Sequence, residues 1–402
     1  IKGDLYDDTA AYRATLSTVF VIDTRGVGHR YDPIAGKTTS GELRGIAKYL
    51  LLEADEKGKV FTDRAVKMLT ALFVAARLEG LSPIAYCAHL IHTGMKAAVK
   101  RLQAVSEHHG LAPQDNLATR FLGEAIDEVN FDSQFLIDAF ATLSSKIEDI
   151  IEDSTLACVS GSDVAAKDII AGDRPLTVYL RWPERHIQAY APLIQLVVST
   201  LIDEMCAVYD DRKGKGCREV LFVLDEAGRT PIAGLPEFVT TVAGRNITLA
   251  LFYQSLAQPE AIYGAARAKI IIDNLDSILW LRPPVGNRET AKAIEEICGE
   301  ISRFAHSETA YHGREASEGK SEKAVPVLSA WEVKRMKDDE VVVMYRDVPP
   351  FLTHRVDVRN FPHLVARMQL IPPTLAPLPQ APQIPPLADE TQEPDDKFGP
   401  SG

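Results

Sequence analysis

Along this chain the spacing of hydrophobic residues changes more than once, and each change marks a different kind of structure. Val19 to Asp23 is a short apolar run that ends in an acid and meets Thr24-Arg25-Gly26-Val27-Gly28, the pattern of a strand running into a loop. From Thr62, a suitable N-cap, Ala65, Met68, Leu69, Leu72, Phe73 and Ala76 return at helical spacing. Similar periodicity covers 83–93, 95–108, 115–129 and 131–153, so 62–153 reads as a nearly all-helical block. Beyond it, Leu176–Leu180, Val220–Leu224, Ile247–Tyr253 and Ser277–Leu281 are continuous apolar runs, as expected of parallel strands covered on both faces. Helical patterns at 188–209, 232–243, 255–263 and 287–298 fall between or after them.

This order predicts an α/β domain with a largely parallel sheet, interrupted by an inserted all-α domain, because residues 1–23 are too short to fold alone. The boundaries read as 1–39 for the start of the α/β domain, 40–130 for the insertion and 131–370 for the remainder. Val341–Tyr345 and Leu352–Val358 predict an edge hairpin whose turn holds Pro349 and Pro350. The polar stretch 306–324 reads as an exposed loop. Residues 371–402 carry nine prolines, five acids and one lysine, which predicts an extended or disordered tail reaching the chain end.

Composition narrows the classes. The 402 residues are ordinary in hydrophobic content, at 46%, and suit two or three domains at roughly 150 residues each. Lys plus Arg (44) against Asp plus Glu (56) leaves a net charge of -12, so nucleic-acid contact must be local rather than global. Five dispersed cysteines without a CxxC pair read as reduced thiols of a cytosolic protein. No uninterrupted 18-residue apolar run and no signal-peptide order occur in the chain. The chain starts at Ile1 without Met and ends in Gly399-Pro400-Ser401-Gly402, which reads as part of a longer protein.

The sharpest local chemistry is Leu221-Phe222-Val223-Leu224-Asp225-Glu226, a buried strand with two acids at its carboxyl end. In nucleoside-triphosphate hydrolases such a first acid holds Mg²⁺ and the second polarises the attacking water; equally, strand-end acids cap a following helix. Gln254 closes the next strand and is predicted on the same sheet edge, where a neutral amide can bond both a phosphate oxygen and a water, or simply cap the next helix. Arg245 precedes that strand, and about seven extended residues, roughly 20 Å, separate it from Gln254. It can therefore serve the same chemistry only on a neighbouring subunit; otherwise it is a surface arginine in a turn.

Gly36-Lys37-Thr38 imitates the end of a phosphate loop, but Tyr31-Asp32-Pro33-Ile34-Ala35 before it offers no glycine-rich backbone nest, and we treat it as a decoy. His108, His109, His186 and His354 lack partners at metal spacing, and neither GxSxG nor HExxH occurs.

Several segments taken together resemble the coupling-protein ATPases of conjugative and type IV secretion systems. They are Lys2-Gly3-Asp4-Leu5-Tyr6, Thr9-Ala10-Ala11-Tyr12-Arg13, Tyr31-Asp32-Pro33-Ile34, Leu224-Asp225-Glu226-Ala227-Gly228, Gln254-Ser255-Leu256-Ala257-Gln258, Ile262-Tyr263-Gly264 and Asp273-Asn274. The resemblance spans about residues 1–360. It implies a RecA-like P-loop NTPase domain with an all-α insertion, in a motor anchored at the bacterial inner membrane, facing the cytoplasm, and assembled as a hexamer. Such motors use ATP and Mg²⁺ to deliver relaxase-bound single-stranded DNA, or protein effectors with their chaperones, to secretion-channel components. By the same resemblance Asp225 binds Mg²⁺ with its nucleotide, Glu226 activates water, Gln254 senses the γ-phosphate, and Arg245 falls where related motors place an inter-subunit arginine finger. Lys2, Gly3 and Asp4 match a strand-end loop near the nucleotide.

The chain departs from the family by lacking a glycine-rich Walker A loop and the transmembrane helices that normally precede it. The expectation is an ATPase parent and a fragment that does not itself hydrolyse ATP. A non-catalytic adaptor that recruits partners, or a general hexameric DNA translocase, are the alternative readings.

Overall fold

The computed structural model describes residues 4–51, 59–118, 133–150, 152–229, 231–232, 234–284, 286–309 and 317–385. Its strands are β1 (Thr18–Asp23), β2 (Val27–Gly28), β3 (Leu176–Arg181), β4 (Val220–Leu224), β5 (Ile247–Leu251), β6 (Ser277–Leu281), β7 (Glu300–Thr309), β8 (Ser317–Pro326), β9 (Glu340–Tyr345) and β10 (Val348–His354). Between β2 and β3 the described residues are helical or coil. The helix Gln134–Ile147, beyond the boundary drawn at 130, packs on Lys59–Leu78 through the stripe Leu136, Ala139, Leu143 and Ile147.

The one continuous sheet read from the apolar runs is present as separate ladders. β1 pairs in parallel with β3, Thr18 opposite Leu176, and β4 pairs in parallel with β5, Val220 opposite Ile247. β6, expected among parallel strands, is instead antiparallel to β9, and β9 to the edge strand β10. No hydrogen-bonded ladder joins β3 to β4 or β5 to β6 among the described residues. β1, β3, β4 and β5 nonetheless share one core: Leu176, Val178, Leu180, Val220, Phe222, Leu224, Leu249 and Leu251 all pack on a cluster that contains Ile22 and Leu193 to Ile202 of the long helix Ile187–Arg212, whereas Trp280 of β6 and Met344 of β9 pack on a separate cluster around Val342 and Ile294.

In each ladder the face turned away from its cluster departs from the sequence reading, which expected cover on both sides. Leu221 and Val223 on β4 are 62% and 47% exposed, and Leu279 and Leu281 on β6 are 64% and 53% exposed. An unbroken apolar run reports that both faces shun water, not that this stretch of chain covers them both.

Three further segments differ from expectation. The 306–324 region is not a loop but part of the β7–β8 hairpin, in register from Glu300–Pro326 to Thr309–Ser317, with 310–316 outside the described residues. Polar residues on both faces of that ribbon hide it from a hydrophobic-period search. In the β9–β10 hairpin the turn tightens to Arg346-Asp347, Arg346 taking φ 44°, and the prolines fall at a bulge of the edge strand between Val348 and Phe351. The helix Ile187–Arg212 is long and apolar enough to cross a membrane by composition, yet most of its apolar window is buried in the core.

The tail is docked over its first half. Gly28 donates its N–H to Ala376 and Leu378 to Gly26, each at 2.8 Å, extending the β2 edge, while the Tyr6 hydroxyl donates to Pro373. Leu375 joins Tyr6, Val19, Val21 and Tyr179, and Leu378, Ala381 and Ile384 pack on the main core. Residues 386–402, with the acids of the tail, lie outside the described residues. Leu378→Ala should lower stability by about 1–2 kcal/mol, and ending the chain at Leu370 should lower it further. Urea unfolding checks both, and an unchanged midpoint for the shortened chain would refute the docking.

Candidate functional site

Parallel pairing of β4 with β5 brings their carboxyl ends to one sheet edge, where the loops after both strands meet. The ladder continues past the strands: Phe252 donates its N–H to Leu224 at 3.2 Å, and Ala227 donates back to Phe252 at 2.9 Å. Asp225 and Glu226 follow β4, and Gln254 follows β5, so the sequence-predicted trio falls on adjacent connections.

Glu226 adopts φ 55°, a left-handed conformation that costs a non-glycine residue about 1–2 kcal/mol. The reversal turns the chain sharply after Asp225, and the Glu226 carboxylate, only 13% exposed, accepts a hydrogen bond from Arg229 Nη1 at 3.2 Å. Arg229 donates its backbone N–H to the Glu226 carbonyl at 2.8 Å, closing the turn on itself.

The two loops are locked by residues whose roles the sequence does not announce. A Cβ on Gly228 would lie 2.4 Å from the side-chain amide carbon of Gln258, so a larger residue there would push that amide out of its place. The Gln258 amide oxygen in turn accepts the backbone N–H of Gln254 at 2.8 Å. Behind them, the buried Tyr263 hydroxyl accepts the N–H of Ile232 at 3.0 Å, and burial pushes that phenol up to about 12. The Gly228, Gln258 and Tyr263 segments quoted in the resemblance thus fix the site's backbone. The Gln254 side chain itself is exposed.

Arg245 lies elsewhere. It ends the short 3₁₀ turn Ala243–Arg245 before β5, at the edge opposite Gln254. Its guanidinium grips Asp210 through Nε at 2.9 and 3.0 Å and Nη2 at 2.8 Å, and Nη1 donates to the Thr241 carbonyl at 3.0 Å. The Asp210 hydrogen bonds raise its already high pKa further. Within one chain Arg245 and Glu226 are therefore not brought together.

Lys37 of the decoy motif pairs with Glu204 at 3.7 Å, and the Thr38 and Thr39 N–H groups are held by Glu42, at 3.3 and 3.0 Å. Those donors are taken by the Glu42 carboxylate in the first turn of the helix Ser40–Leu51. Asp4 begins the helix Asp4–Arg13, while Lys2 and Gly3 lie outside the described residues.

The arrangement suits a phosphate-bound Mg²⁺. That ion keeps most of its waters and takes only one or two protein carboxylates beside phosphate oxygens, so a lone strand-end Asp225 matches its needs. No cluster of three or more His, Cys, Asp or Glu able to hold a metal by themselves occurs among the described residues.

Comparison with known proteins places these features in context. Residues 1–358 match the model of the family described as type IV secretory system conjugative DNA transfer. The chain is 24% identical over 340 residues to the conjugal transfer protein TraG of Rhizobium radiobacter, covering 78% of this chain and 49% of that protein. TraG of Agrobacterium fabrum is likewise 24% identical over 340 residues, with 78% and 48% covered. The chain thus spans about half the length of these relatives. Among solved structures, the conjugative coupling protein TrwBdeltaN70 in its unbound monoclinic form aligns with a TM-score of 0.62 and 15% identity, over 84% of this chain and 74% of that one. TrwB in complex with ADP and Mg²⁺ aligns at 0.61 and 15% identity, over 90% and 76%. The fold is that of these structures, the RecA-like α/β fold.

If Gly228 and Gln258 act as one lock, Gly228→Ala should displace the amide and release the Gln254 N–H, at a cost of about 0.5–1.5 kcal/mol. Gln258→Ala should cost a similar amount, and the double variant no more than the larger single one. Urea unfolding of the four proteins measures the coupling, and strict additivity would exclude it.

Proposed function

Because the chain belongs to the type IV secretory system conjugative DNA transfer family, we propose that it is the motor portion of a coupling ATPase. In this reading its parent moves cargo to a secretion channel at the expense of ATP. The observation that carries the reading is the locked pair of loops at one sheet edge, with Asp225 and Glu226 on one and Gln254 on the other. Mg²⁺, when bound with nucleotide, neutralises phosphate charge, and TrwB in complex with ADP and Mg²⁺ supports that pairing. Asp225 would hold the ion or its waters. Glu226, held by Arg229 in its left-handed turn, takes a proton from the attacking water. Gln254 offers an amide to the γ-phosphate and that water together. Arg245 reaches the neighbouring subunit's site in a hexamer, leaving Asp210 to do so.

The phosphate loop this chemistry requires is not in the sequence. The exposed apolar residues Leu221 and Val223 of β4 and Leu279 and Leu281 of β6, with edges of β5 and β6 that are unpaired among the described residues, suit a strand and helix that would carry it. The helical block from residue 40 onward is the inserted domain of this reading, with recruitment of cargo as its role. For the parent we propose the cytoplasmic face of the inner membrane as location. Its partners are relaxase proteins with single-stranded DNA, or protein effectors and their chaperones, together with channel components. The conjugative DNA transfer family favours DNA as cargo.

By calorimetry this chain should bind Mg-ATP more weakly than micromolar, and a chain extended upstream through a phosphate loop should bind it tightly. In the extended protein Glu226→Gln should keep binding and lose at least about a hundredfold in turnover. Turnover within a factor of about two of the parent would remove Glu226 from the mechanism, because a lost general base costs far more.

Arg245→Ala should also slow hydrolysis in the extended protein. Mixed rings of Arg245→Ala and Glu226→Gln subunits should regain part of the activity, because some sites then join an intact arginine to an intact base. Mixtures no more active than either parent variant would place Arg245 outside the neighbouring site.

A further inference from the structure

The amino edge of β4 and β5, opposite Asp225 and Gln254, carries charges that the proposed chemistry does not use. The two strands start side by side, Val220 opposite Ile247, so the connections that enter them lie together. The connection into β4 is Arg212-Lys213-Gly214-Lys215-Gly216-Cys217-Arg218, which leaves the end of the helix Ile187–Arg212. Arg218 ties it to the segment before β3, donating its backbone N–H to the Ile170 carbonyl at 2.8 Å and its Nη2 to the Gly172 carbonyl. Cys217 packs on the main core, so the loop is held at its base.

Cations gather at helix C-termini because unpaired carbonyls there attract them. Here the backbone itself closes that end. Lys213 donates its N–H to Asp210 at 3.1 Å, Gly214 to Tyr209 at 2.9 Å and Lys215 to Arg212 at 3.0 Å. Lys213 nonetheless takes the left-handed cap position, φ 52°, where glycine is the unstrained choice. Arg212, Lys213 and Lys215 are exposed, and none of their side chains makes an ion pair or hydrogen bond among the described residues.

The charge of this edge is positive when every neighbour is counted. Arg174, Arg212, Lys213, Lys215, Arg218 and Arg245 stand with Asp173, Asp210, Asp211 and Glu219, six cations against four carboxylates, or +2 in a chain of -12. Asp210 is already taken by Arg245 through three bonds. None of the exposed large hydrophobic residues falls within 172–175 or 210–219. The loop therefore lacks the apolar centre on which a protein–protein contact is built.

We propose that this loop holds the sugar–phosphate backbone of single-stranded DNA through Arg212, Lys213 and Lys215. Phosphate contacts need exposed cations and close approach rather than an apolar pocket. Gly214 and Gly216, at φ 73° and 71°, keep the main chain between those cations bare of side chains. DNA is chosen over other polyanions because the family is that of conjugative DNA transfer, so the inference rests on the reading of DNA as cargo. It does not rest on the ATPase chemistry, which lies at the other edge, and DNA and nucleotide do not compete.

The test titrates the full chain, without nucleotide, into fluorescein-labelled oligo(dT) of about 30 nucleotides and reads anisotropy at about 50 and 200 mM salt. Kd should rise steeply with salt. Lys213→Gly and Lys215→Gln should each raise it about threefold or more at the lower salt, and each should reduce the slope of log Kd against log salt by about 0.7. Glycine suits φ 52°, so Lys213→Gly should melt no lower than the parent, which separates lost binding from lost fold. Lys48→Gln, at an exposed lysine of the helix Ser40–Leu51, should change neither Kd nor slope. Binding that both loop variants leave unchanged would overturn the site and leave DNA as cargo, whereas no binding at the lower salt would overturn the two together. Polyglutamate that displaces the oligonucleotide at equal charge concentration would assign the loop to an acidic protein and overturn the proposal as well.

Discussion

In-register parallel pairing of β4 with β5 is the constraint on which the rest of the site depends. Parallel strands end on the same edge, so whatever follows one lies beside whatever follows the other. Asp225, Glu226 and Gln254 owe their proximity to that rule rather than to any attraction among themselves. The Gln258 amide, packed over Gly228 and bonded to the Gln254 N–H, then links the two neighbouring loops. A strained turn at Glu226 is tolerable only because the backbone on both sides of it is pinned.

The same constraint explains the position of Arg245. A strand that carries Gln254 at one end must present its preceding turn at the other, and no side chain spans that length. Its bidentate pairing with Asp210 satisfies the guanidinium within the isolated chain. Any service to a neighbour is an exchange of one anion for another, so the net gain from assembly at this residue is smaller than a free arginine would give.

Much of this was legible in the sequence for a physical reason: local periodicity and strand-end chemistry are written in adjacent residues. The stripe from Ala65 to Ala76, the runs of β4 and β5, and the acids after Leu224 all depend on near neighbours. Long-range pairings were not legible. Asp210 lies far along the chain from Arg245, and Gln258 gives no sign that its amide fills the space above Gly228. Exposed apolar faces were missed because hydrophobicity does not say what covers it, and the β7–β8 ribbon because its residues are polar on both sides. The docked tail escaped because isolated leucines and isoleucines among prolines carry no period.

That tail has a mechanical meaning. Its bonds to Gly26, Gly28 and Tyr6 tie residues 373–378 to β2, to the turn before it and to the helix Asp4–Arg13. Tension applied beyond Pro385 would first meet the packing of Ile384, Ala381 and Leu378 on the main core, and then the bonds to β2, which is antiparallel to β1. Arg181, stacked 4.6 Å over the Tyr6 ring and 3.7 Å from Asp23, lies next in that line of force. A pull on the tail would thus pass through the main core and the β2 edge to the carboxyl end of β1, where Asp23 pairs with Val27.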